Sequence, residues 1–282
     1  MSPAPVDREA ESATQRIQRW GVIPRKRLGQ NFLVDRRVTD RIAEGLEPLA
    51  GRRVIEIGPG TGELTDALLQ RGAEVTAIEK DRRLAALLGE ESRARVLEAD
   101  ALEVRFRDLV PEGPFSVAGN LPYYCTTDLL LHVLDQREGL NPAVFLVQRE
   151  YAERLVSPPG KKTYGSIGVF VRYFAETEKL FAVPPGAFLP RPEVHSSVIR
   201  LQFLEGSRLA PGHERALFRI TRRAFQQRRK QLGTALRDLV SVGREELQEA
   251  FLAAGVDPTR RGETLSLDEF MALAGRLEGM IP

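Results

Sequence analysis

Short apolar runs and amphipathic stretches alternate over the first two thirds of the chain. The stretches at 63–70, 81–88 and 125–134 have the apolar spacing of helices. Short apolar runs predict buried strands at 53–57, 74–78, 95–99, 115–119, 143–148, 178–183 and 196–203. Strands that alternate with helices in this way predict an α/β domain with a mainly parallel sheet.

The pattern changes after Leu204. A short linker follows, and helices are then predicted at 214–240, 244–254 and 266–277. Ser266 and Glu269 form the signature of a capping box before the last helix. We therefore expect a mobile N-terminal extension over residues 1–24, an α/β domain over 25–204 and a small all-helical domain over 205–282.

The first predicted strand runs directly into a glycine-rich turn, Gly58-Pro59-Gly60-Thr61-Gly62, and a helix follows. This order is typical of nucleotide-binding folds. A dinucleotide fingerprint needs a third glycine at position 63, but Glu63 stands there and would repel a pyrophosphate. The turn therefore favours a ligand without phosphates at this point, such as S-adenosylmethionine, over a nicotinamide dinucleotide.

The next two strands end in acids. Glu79 stands 21 positions past Gly58, where a carboxylate can accept from both ribose hydroxyls. Asp100 follows the third strand and can accept from an adenine amino group. A single acid at a strand end is often only a helix cap, but three successive strand ends that carry the glycine-rich turn, Glu79 and Asp100 favour a nucleoside site.

The fourth strand ends in Asn120-Leu121-Pro122-Tyr123. The Asn amide oxygen and a backbone carbonyl can accept hydrogen bonds from an amino group on a flat ring, and the Tyr ring can stack on it. Proline fixes φ and removes a competing donor. A lone motif of this kind is more often a polar turn, so the hypothesis depends on its neighbours.

Composition places limits on the class of protein. No apolar run approaches the roughly 20 residues that a membrane helix needs. The first residues do not include the apolar segment of a secretory signal. A single cysteine, Cys125, fits a reducing cytosol, and neither it nor the three histidines have zinc-ligand spacing. We expect a cytoplasmic protein with no metal and no membrane contact.

Net charge is only +2, but basic residues cluster. Eight lie between Arg16 and Arg41, and eight lie between Arg215 and Arg237 with no acid among them. Either run alone could be a solvated helix face. Two such runs in a nearly neutral chain favour a polyanionic partner such as nucleic acid.

Taken in order, these segments resemble the rRNA adenine N6-dimethyltransferases, and within that family the small-subunit type most closely. The resemblance runs from Arg25 to Leu273, and its specificity comes from the order of motifs that are weak alone. The motifs are Gly29-Gln-Asn-Phe-Leu33, Glu56-Ile-Gly-Pro-Gly-Thr-Gly62, Glu79, Asp100, Asn120-Leu-Pro-Tyr123, Phe145-Leu-Val-Gln148, Val183-Pro-Pro185, Phe188-Leu-Pro190, Ala224-Phe225, Gln227-Arg-Arg-Lys230 and Leu265-Ser-Leu267.

The resemblance implies a class I S-adenosylmethionine-dependent methyltransferase, a Rossmann-like fold with a seven-stranded sheet, followed by a small all-helical C-terminal domain. It implies that the target adenine binds at Asn120, Leu121 and Pro122, between the rings of Tyr123 and Phe188. Composition alone would make Phe188 a core residue. The implied cofactor residues are Asn31, Leu33, Gly58, Gly60, Glu79, Asp100, Ala101 and Asn120.

The resemblance also implies a substrate. Products would be N6,N6-dimethyladenosines at two adjacent adenosines near the 3′ end of small-subunit rRNA, made on a pre-30S-type particle, and we expect a monomer. RNA-backbone contacts are expected from Arg25, Lys26, Arg27, Arg222, Arg223, Arg228, Arg229 and Lys230.

Three departures from the family pattern affect the surroundings of the site: the segment Tyr124-Cys125-Thr126-Thr127-Asp128, His195 in place of a more usual Asp, and Gly233 within the basic stretch. Two alternatives stay open. One is a large-subunit rRNA adenine dimethylase of the antibiotic-resistance type, against which the Leu of the Asn120 motif and the long helical tail argue. The other is a non-catalytic ribosome assembly factor on the same fold.

Overall fold

The computed structural model describes residues 11–25 and 28–282. The chain divides into two compact units. The α/β unit comprises Met1–Ala152 and Glu178–Phe203, and the helical unit comprises Glu153–Thr177 and Leu204–Pro282. None of the helices within the described ranges is long and apolar enough to cross a membrane.

The strands are β1 Phe32–Leu33, β2 Arg53–Ile57, β3 Glu74–Glu79, β4 Arg95–Glu98, β5 Phe115–Asn120, β6 Leu140–Gln148, β7 Ala175–Val183, β8 Phe188–Leu189 and β9 Ser196–Phe203. The helices are α1 Ala13–Arg19, α2 Arg36–Glu44, α3 Glu63–Gln70, α4 Arg82–Glu91, α5 Phe106–Leu109, α6 Thr126–Asp135, α7 Arg149–Val156, α8 Ser166–Phe174, α9 Pro211–Gln226, α10 Leu232–Ala235, α11 Arg244–Ala253 and α12 Leu267–Leu277.

Seven strands form one sheet in the order β4-β3-β2-β5-β6-β9-β7. The pairs β4–β3, β3–β2, β2–β5 and β5–β6 are parallel, whereas β9 runs antiparallel to β6. The apolar runs form these strands because both faces of a parallel sheet are covered by helices and need apolar side chains. The predicted α/β class with a seven-stranded sheet is confirmed.

A second, two-stranded sheet pairs β1 with β8 in antiparallel register. Phe32 lies opposite Leu189, and Leu33 lies opposite Phe188. This pairing joins the Gly29-Gln-Asn-Phe-Leu33 segment to the proline-rich loop more than 150 residues later. The sequence pattern predicts neither strand, because two residues carry no periodicity.

The prediction of a mobile extension over residues 1–24 does not hold for residues 11–24, which include a helix. Residues 1–10 lie outside the described ranges. Helix α1 is capped by Ser12, whose side chain forms a capping box with Gln15. Ile17 and Trp20 pack in one apolar cluster with Phe32. Burial of these side chains explains why the segment is helical despite its polar composition.

The helical unit is built around a core from α8, α9, α11 and α12. Tyr164 and Tyr173 belong to this core, and the Tyr164 hydroxyl donates to the Leu265 carbonyl at 2.9 Å. Residues 153–177 therefore group with the C-terminal helices, although the sequence pattern assigned them to the α/β domain. Helices α11 and α12 and the Ser266–Glu269 capping box are as predicted.

One predicted helix, 214–240, is wrong in extent. Helix α9 ends at Gln226, a turn follows, and the short α10 begins at Leu232. Gly233 lies in α10, where its N–H donates to the Pro258 carbonyl at 2.9 Å. A Cβ at this position would lie only 3.2 Å from the Pro258 ring, so the site favours glycine. Close approach of the two segments explains this departure from the family pattern.

A carboxyl group lies buried in the central strand β2. Glu56 is 1% exposed, and the Thr65 hydroxyl of α3 donates to it at 2.6 Å. Burial, together with the nearby acids Asp66, Glu63 and Glu79, raises the pKa of Glu56 to about 8, against the bond from Thr65. The folded state therefore favours the protonated carboxyl at neutral pH.

The raised pKa predicts a pH dependence of stability. The contribution of Glu56 is present in full below its unfolded pKa of 4.5 and is lost as the pH rises through about 8. In Glu56→Gln the amide oxygen can still accept from Thr65 and no charge can form. We expect its melting temperature at pH 9 to exceed that of the wild type by about 4 °C or more, with the difference shrinking towards pH 5.

Glu90→Gln, in an exposed position of α4, serves as the control and should follow the wild-type melting curve at every pH. A gap between Glu56→Gln and the wild type that stayed constant from pH 5 to pH 9 would contradict the assignment.

Candidate active site

Four loops with chemical groups meet at one edge of the sheet. The strands β4, β3, β2 and β5 are consecutive neighbours and parallel, so their carboxyl ends lie side by side. The register is level: Ile57 pairs with both Ile78 and Gly119. The next residues along these strands are Gly58, Glu79 and Asn120, which are therefore neighbours. Ligands bind at this edge in open α/β sheets.

The glycine-rich turn depends on its glycines for backbone shape. Gly60 has φ of 57° and Gly62 has φ of 92°, in the region that side chains rarely adopt. A Cβ on Gly60 would also lie 3.0 Å from the ring of Phe32. The turn thus lies directly against β1, which forms another wall of the cavity.

Glu79 is held by the backbone on two sides. Its Oε2 accepts from the Gly60 N–H at 3.1 Å, and its Oε1 accepts from the Asp81 N–H at 2.8 Å. Burial raises the pKa of Glu79, and these two bonds oppose the rise. The carboxylate is fixed in orientation and keeps lone pairs for a further donor such as a ribose hydroxyl.

Asp100 is both a cap and an ion-pair partner. Its Oδ1 accepts from the Leu102 N–H at 3.1 Å, and its Oδ2 lies 2.5 Å from the Lys80 amine. Burial acts to raise the pKa of Asp100, but Lys80 and the Leu102 N–H outweigh it and hold the pKa below its usual value. Asp100 is therefore ionised and available as an acceptor at neutral pH.

Asn120 donates from its amide NH₂ to the Asn31 carbonyl at 2.9 Å. Asn31 donates in turn from its side chain to the Gly29 carbonyl at 3.2 Å. Because one amide hydrogen of Asn120 is engaged with the N-terminal segment, its amide oxygen takes a defined position. This oxygen is a hydrogen-bond acceptor at the end of β5.

The two aromatic residues expected to hold the target base differ in burial and in their distance from the cavity: Tyr123 lines it, whereas Phe188 is packed in the core. Tyr123 is half-buried at the cavity, and its hydroxyl forms a 2.8 Å hydrogen bond with the Ser196 hydroxyl. Burial raises the pKa of Tyr123, so the phenol is neutral. Phe188 is 3% exposed and packs in the main core cluster with Leu33 and Val38. The structure therefore favours the core role of Phe188 that composition predicts over the stacking role.

One cavity collects the predicted residues. It contains about 1040 Å³ of space, a figure that includes open solvent. Leu121, Pro122 and Tyr123 line it. So do all the residues predicted to hold the cofactor, namely Asn31, Leu33, Gly58, Gly60, Glu79, Asp100, Ala101 and Asn120.

Several cavity residues were not singled out from the sequence. Lys80, which lines the cavity, pairs with Asp100. Gln30 donates to Asp81 at 3.1 Å and so ties the N-terminal segment to the end of β3. Gln30 could have been predicted as a site residue from its place inside the Gly29 to Leu33 motif. The partners of Lys80 and Asp81 could not, because they depend on which strands are neighbours in the sheet.

Within residues 11–25 and 28–282, no group of three His, Cys, Asp or Glu side chains is arranged to hold a metal ion. Cys125 is half-buried beside the cavity, and burial raises the pKa of its thiol.

The basic residues expected to contact RNA fall into two groups. Arg25, Arg223 and Arg228 form ion pairs with Asp81, Asp238 and Glu263. Those arginines have partners within the chain, and their contact with RNA stays a prediction. The side chains of Arg222, Arg229 and Lys230 are exposed, whereas Lys26 and Arg27 lie outside the described residues.

Comparisons with known proteins agree with this geometry. The chain is 43% identical over 270 residues to the ribosomal RNA small subunit methyltransferase A of Desulfitobacterium hafniense, covering 94% of this chain and 96% of the relative. The 23S rRNA methyltransferase ErmE is 26% identical with a TM-score of 0.67, covering 88% of this chain and 99% of that one.

A dimethyladenosine transferase from Plasmodium falciparum shares the fold at a TM-score of 0.77, with 23% identity over 89% of this chain and 99% of that one. The model of the ribosomal RNA adenine dimethylase family matches residues 23–278. The chain therefore belongs to the ribosomal RNA adenine dimethylase family and is an S-adenosylmethionine-dependent methyltransferase of rRNA.

Proposed function

We propose that this enzyme dimethylates N6 of two adjacent adenosines near the 3′ end of small-subunit rRNA, as a cytoplasmic monomer acting on a pre-30S-type particle during small-subunit maturation. The observation that carries the proposal is the Asn120 amide. Its NH₂ group is engaged with Asn31, and its oxygen is at the end of β5, beside the turn, Glu79 and Asp100.

The cavity fits S-adenosylmethionine. Its walls contain ionised or fixed carboxylates for hydroxyl and amino donors, and Gly60 brings backbone close to the ligand space. Glu79 would hold the ribose hydroxyls, Asp100 the adenine amino group, and Gly58 with Asn31 the methionine part. When bound, S-adenosylmethionine supplies a methyl group on a sulfonium, which leaves as a neutral thioether.

The target amine is held by acceptors. Adenine N6 is a weak nucleophile because its lone pair is delocalised into the ring. The Asn120 oxygen and the Leu121 carbonyl accept from its hydrogens and favour a pyramidal nitrogen. The Pro122 carbonyl already accepts from the Thr126 hydroxyl at 2.9 Å and from the Cys125 N–H at 3.3 Å, so it belongs to the start of α6.

The reaction needs positioning more than acid or base. The leaving thioether is neutral and requires no proton, and the proton that N6 gives up on methylation passes to water. Correct placement of the two reactants can supply a large part of the rate enhancement. Tyr123 offers a ring face that offsets part of the free energy of removing the base from its stack. The hydrogen bond from Tyr123 to Ser196 fixes that ring.

The small-subunit specificity rests on similarity. The relative at 43% identity is named for the small subunit, and ErmE, named for 23S rRNA, is 26% identical. The closer similarity favours the small subunit over a large-subunit dimethylase. The presence of Asn120, Glu79 and Asp100 around one cavity favours an active enzyme over a non-catalytic assembly factor.

The reaction is tested with labelled S-adenosylmethionine and small ribosomal subunits from cells that lack this methylation. We expect label in N6,N6-dimethyladenosine at two adjacent positions near the 3′ end of the rRNA, located by primer extension. Under-methylated large subunits are the control and should remain unlabelled. Label on the large subunit alone would overturn the proposed specificity, and no label on either would overturn the activity.

The role of the amide is tested by substitution of Asn120. Asn120→Ala removes the acceptor, and we expect methyl transfer to fall by more than about 100-fold with little change in melting temperature. Asn120→Asp keeps an acceptor oxygen but cannot donate to Asn31, so its activity should lie between those of the wild type and Asn120→Ala. Near-normal turnover in Asn120→Ala would contradict the assigned role.

The exposed basic residues of the helical unit would contact RNA backbone. We expect the triple variant Arg222→Ala, Arg229→Ala and Lys230→Ala to bind rRNA more weakly and to reduce the slope of log affinity against log salt by about 2 to 3. Arg276→Ala, an exposed arginine of the same unit, is the control. A slope equal to that of the wild type would exclude these residues from the RNA contact.

A further inference from the structure

A single arginine of the N-terminal helix α1 contacts the glycine-rich turn. The Arg16 side chain is 2% exposed. One arm of its guanidinium donates to the Thr61 carbonyl, between Gly60 and Gly62, at 2.8 Å. The other arm donates to the Asp66 carboxylate of α3 at 2.8 Å. Arg16 thus holds the turn and the helix that follows it with one rigid planar group.

The position of Arg16 is fixed from the other side as well. Ile17 and Trp20 of the same helical segment pack with Phe32, Leu84 and Leu88. The Trp20 indole N–H donates to Glu91 of α4 at 2.8 Å. The guanidinium is therefore presented to the turn by a helix that is packed on the α/β unit.

The contact also balances charge at the start of α3. Glu63 and Asp66 lie in the first turn of this helix, and Glu63 lines the cavity. The Arg16 guanidinium forms an ion pair with Asp66 and also lies 3.7 Å from the Glu63 carboxylate. Because a buried ion that loses its partner is strongly destabilising, removing Arg16 leaves two carboxylates beside the turn with no opposite charge from this helix.

We propose that Arg16 is a positioning residue, which holds the Gly60-Thr61-Gly62 backbone in the shape that receives S-adenosylmethionine and thereby makes cofactor affinity depend on the docking of α1. The proposal rests on the proposed function only in taking this cavity as the cofactor site. Arg16 touches neither the target base nor the Asn120 motif, so it should act on cofactor binding and not on the methyl-transfer step.

The test compares Arg16→Met with Arg19→Met in the full-length protein. Both changes remove an arginine from α1, but Arg19 is 40% exposed and pairs with Glu11 and Glu91 instead of the turn. Calorimetry should show that Arg16→Met weakens S-adenosylmethionine binding by about tenfold, as expected for loss of a charged hydrogen bond that shapes the site. Arg19→Met should stay within about twofold of the wild type.

Kinetics should separate positioning from chemistry. In Arg16→Met we expect KM for S-adenosylmethionine to rise by the same factor as Kd, with kcat at saturating cofactor within about twofold. Arg16→Lys keeps the charge but cannot donate from two arms, and its Kd should lie between those of the wild type and Arg16→Met. Asp66→Asn, which keeps the Thr61 contact but weakens the anchor, should raise Kd less than Arg16→Met and serves if Arg16→Met does not fold.

Each outcome decides the inference. A lower melting temperature in Arg16→Met with an unchanged Kd would show a purely structural role and overturn the proposal, as would equal effects of Arg16→Met and Arg19→Met. A fall in kcat with unchanged KM would overturn it too. Failure of the wild type to bind S-adenosylmethionine would overturn this inference and the proposed function together, whereas the other contradicting results leave the proposed function intact.

Discussion

The level, parallel register of β4, β3, β2 and β5 is the constraint on which the site depends. Because Ile57 pairs with Ile78 on one side and with Gly119 on the other, Gly58, Glu79 and Asn120 lie at one height. A shift of two residues in any pair would move Glu79 or Asn120 away from the turn by more than 6 Å. The sheet register therefore determines which side chains meet in the cavity.

The N-terminal segment completes what the sheet begins. It reaches the strand ends at three points: Arg16 on the Thr61 carbonyl, Gln30 on Asp81, and the Asn31 carbonyl on Asn120. The β1–β8 pair holds the same segment from the other side. Each contact joins residues that are at least 45 positions apart in the sequence, so the segment depends on the folded sheet for its partners. Cofactor binding and the docking of this segment are thereby coupled.

The sequence was sufficient to predict the parallel sheet and the residues at its carboxyl ends. Apolar runs mark strands, and the position of Gly58, Glu79, Asp100 and Asn120 directly after them places these residues at one edge. What it could not give are the contacts that depend on which segments become neighbours. Arg16 seemed one charge among many in a polar stretch, and its burial follows only from the packing of α1.

The errors have similar physical causes. The basic stretch from 214 to 240 has enough apolar positions for one long helix, but the helix ends at Gln226, and a short second helix follows in which Gly233 packs against Pro258. Residues 153–177 continue the α/β pattern along the sequence, yet Tyr164 and Tyr173 complete the core of the helical unit. By contrast, the stacking role that the resemblance implies for Phe188 stays a prediction: Phe188 lies opposite Leu33 of β1 and packs in the main core cluster.

Charge in the cavity is arranged for a ligand that carries a positive sulfonium. The carboxylate of Asp100 has Lys80 as its partner, Glu63 has Arg16, and Glu79 has two backbone N–H groups. Glu56, with its pKa raised to about 8, is protonated at neutral pH. The acids therefore supply directed acceptors without a large uncompensated negative field. A cavity with strong net negative charge would hold the cationic cofactor but would also repel the phosphates of an approaching RNA. Because each acid is paired locally, the same cavity can bind the cationic cofactor without repelling the phosphates of the RNA substrate.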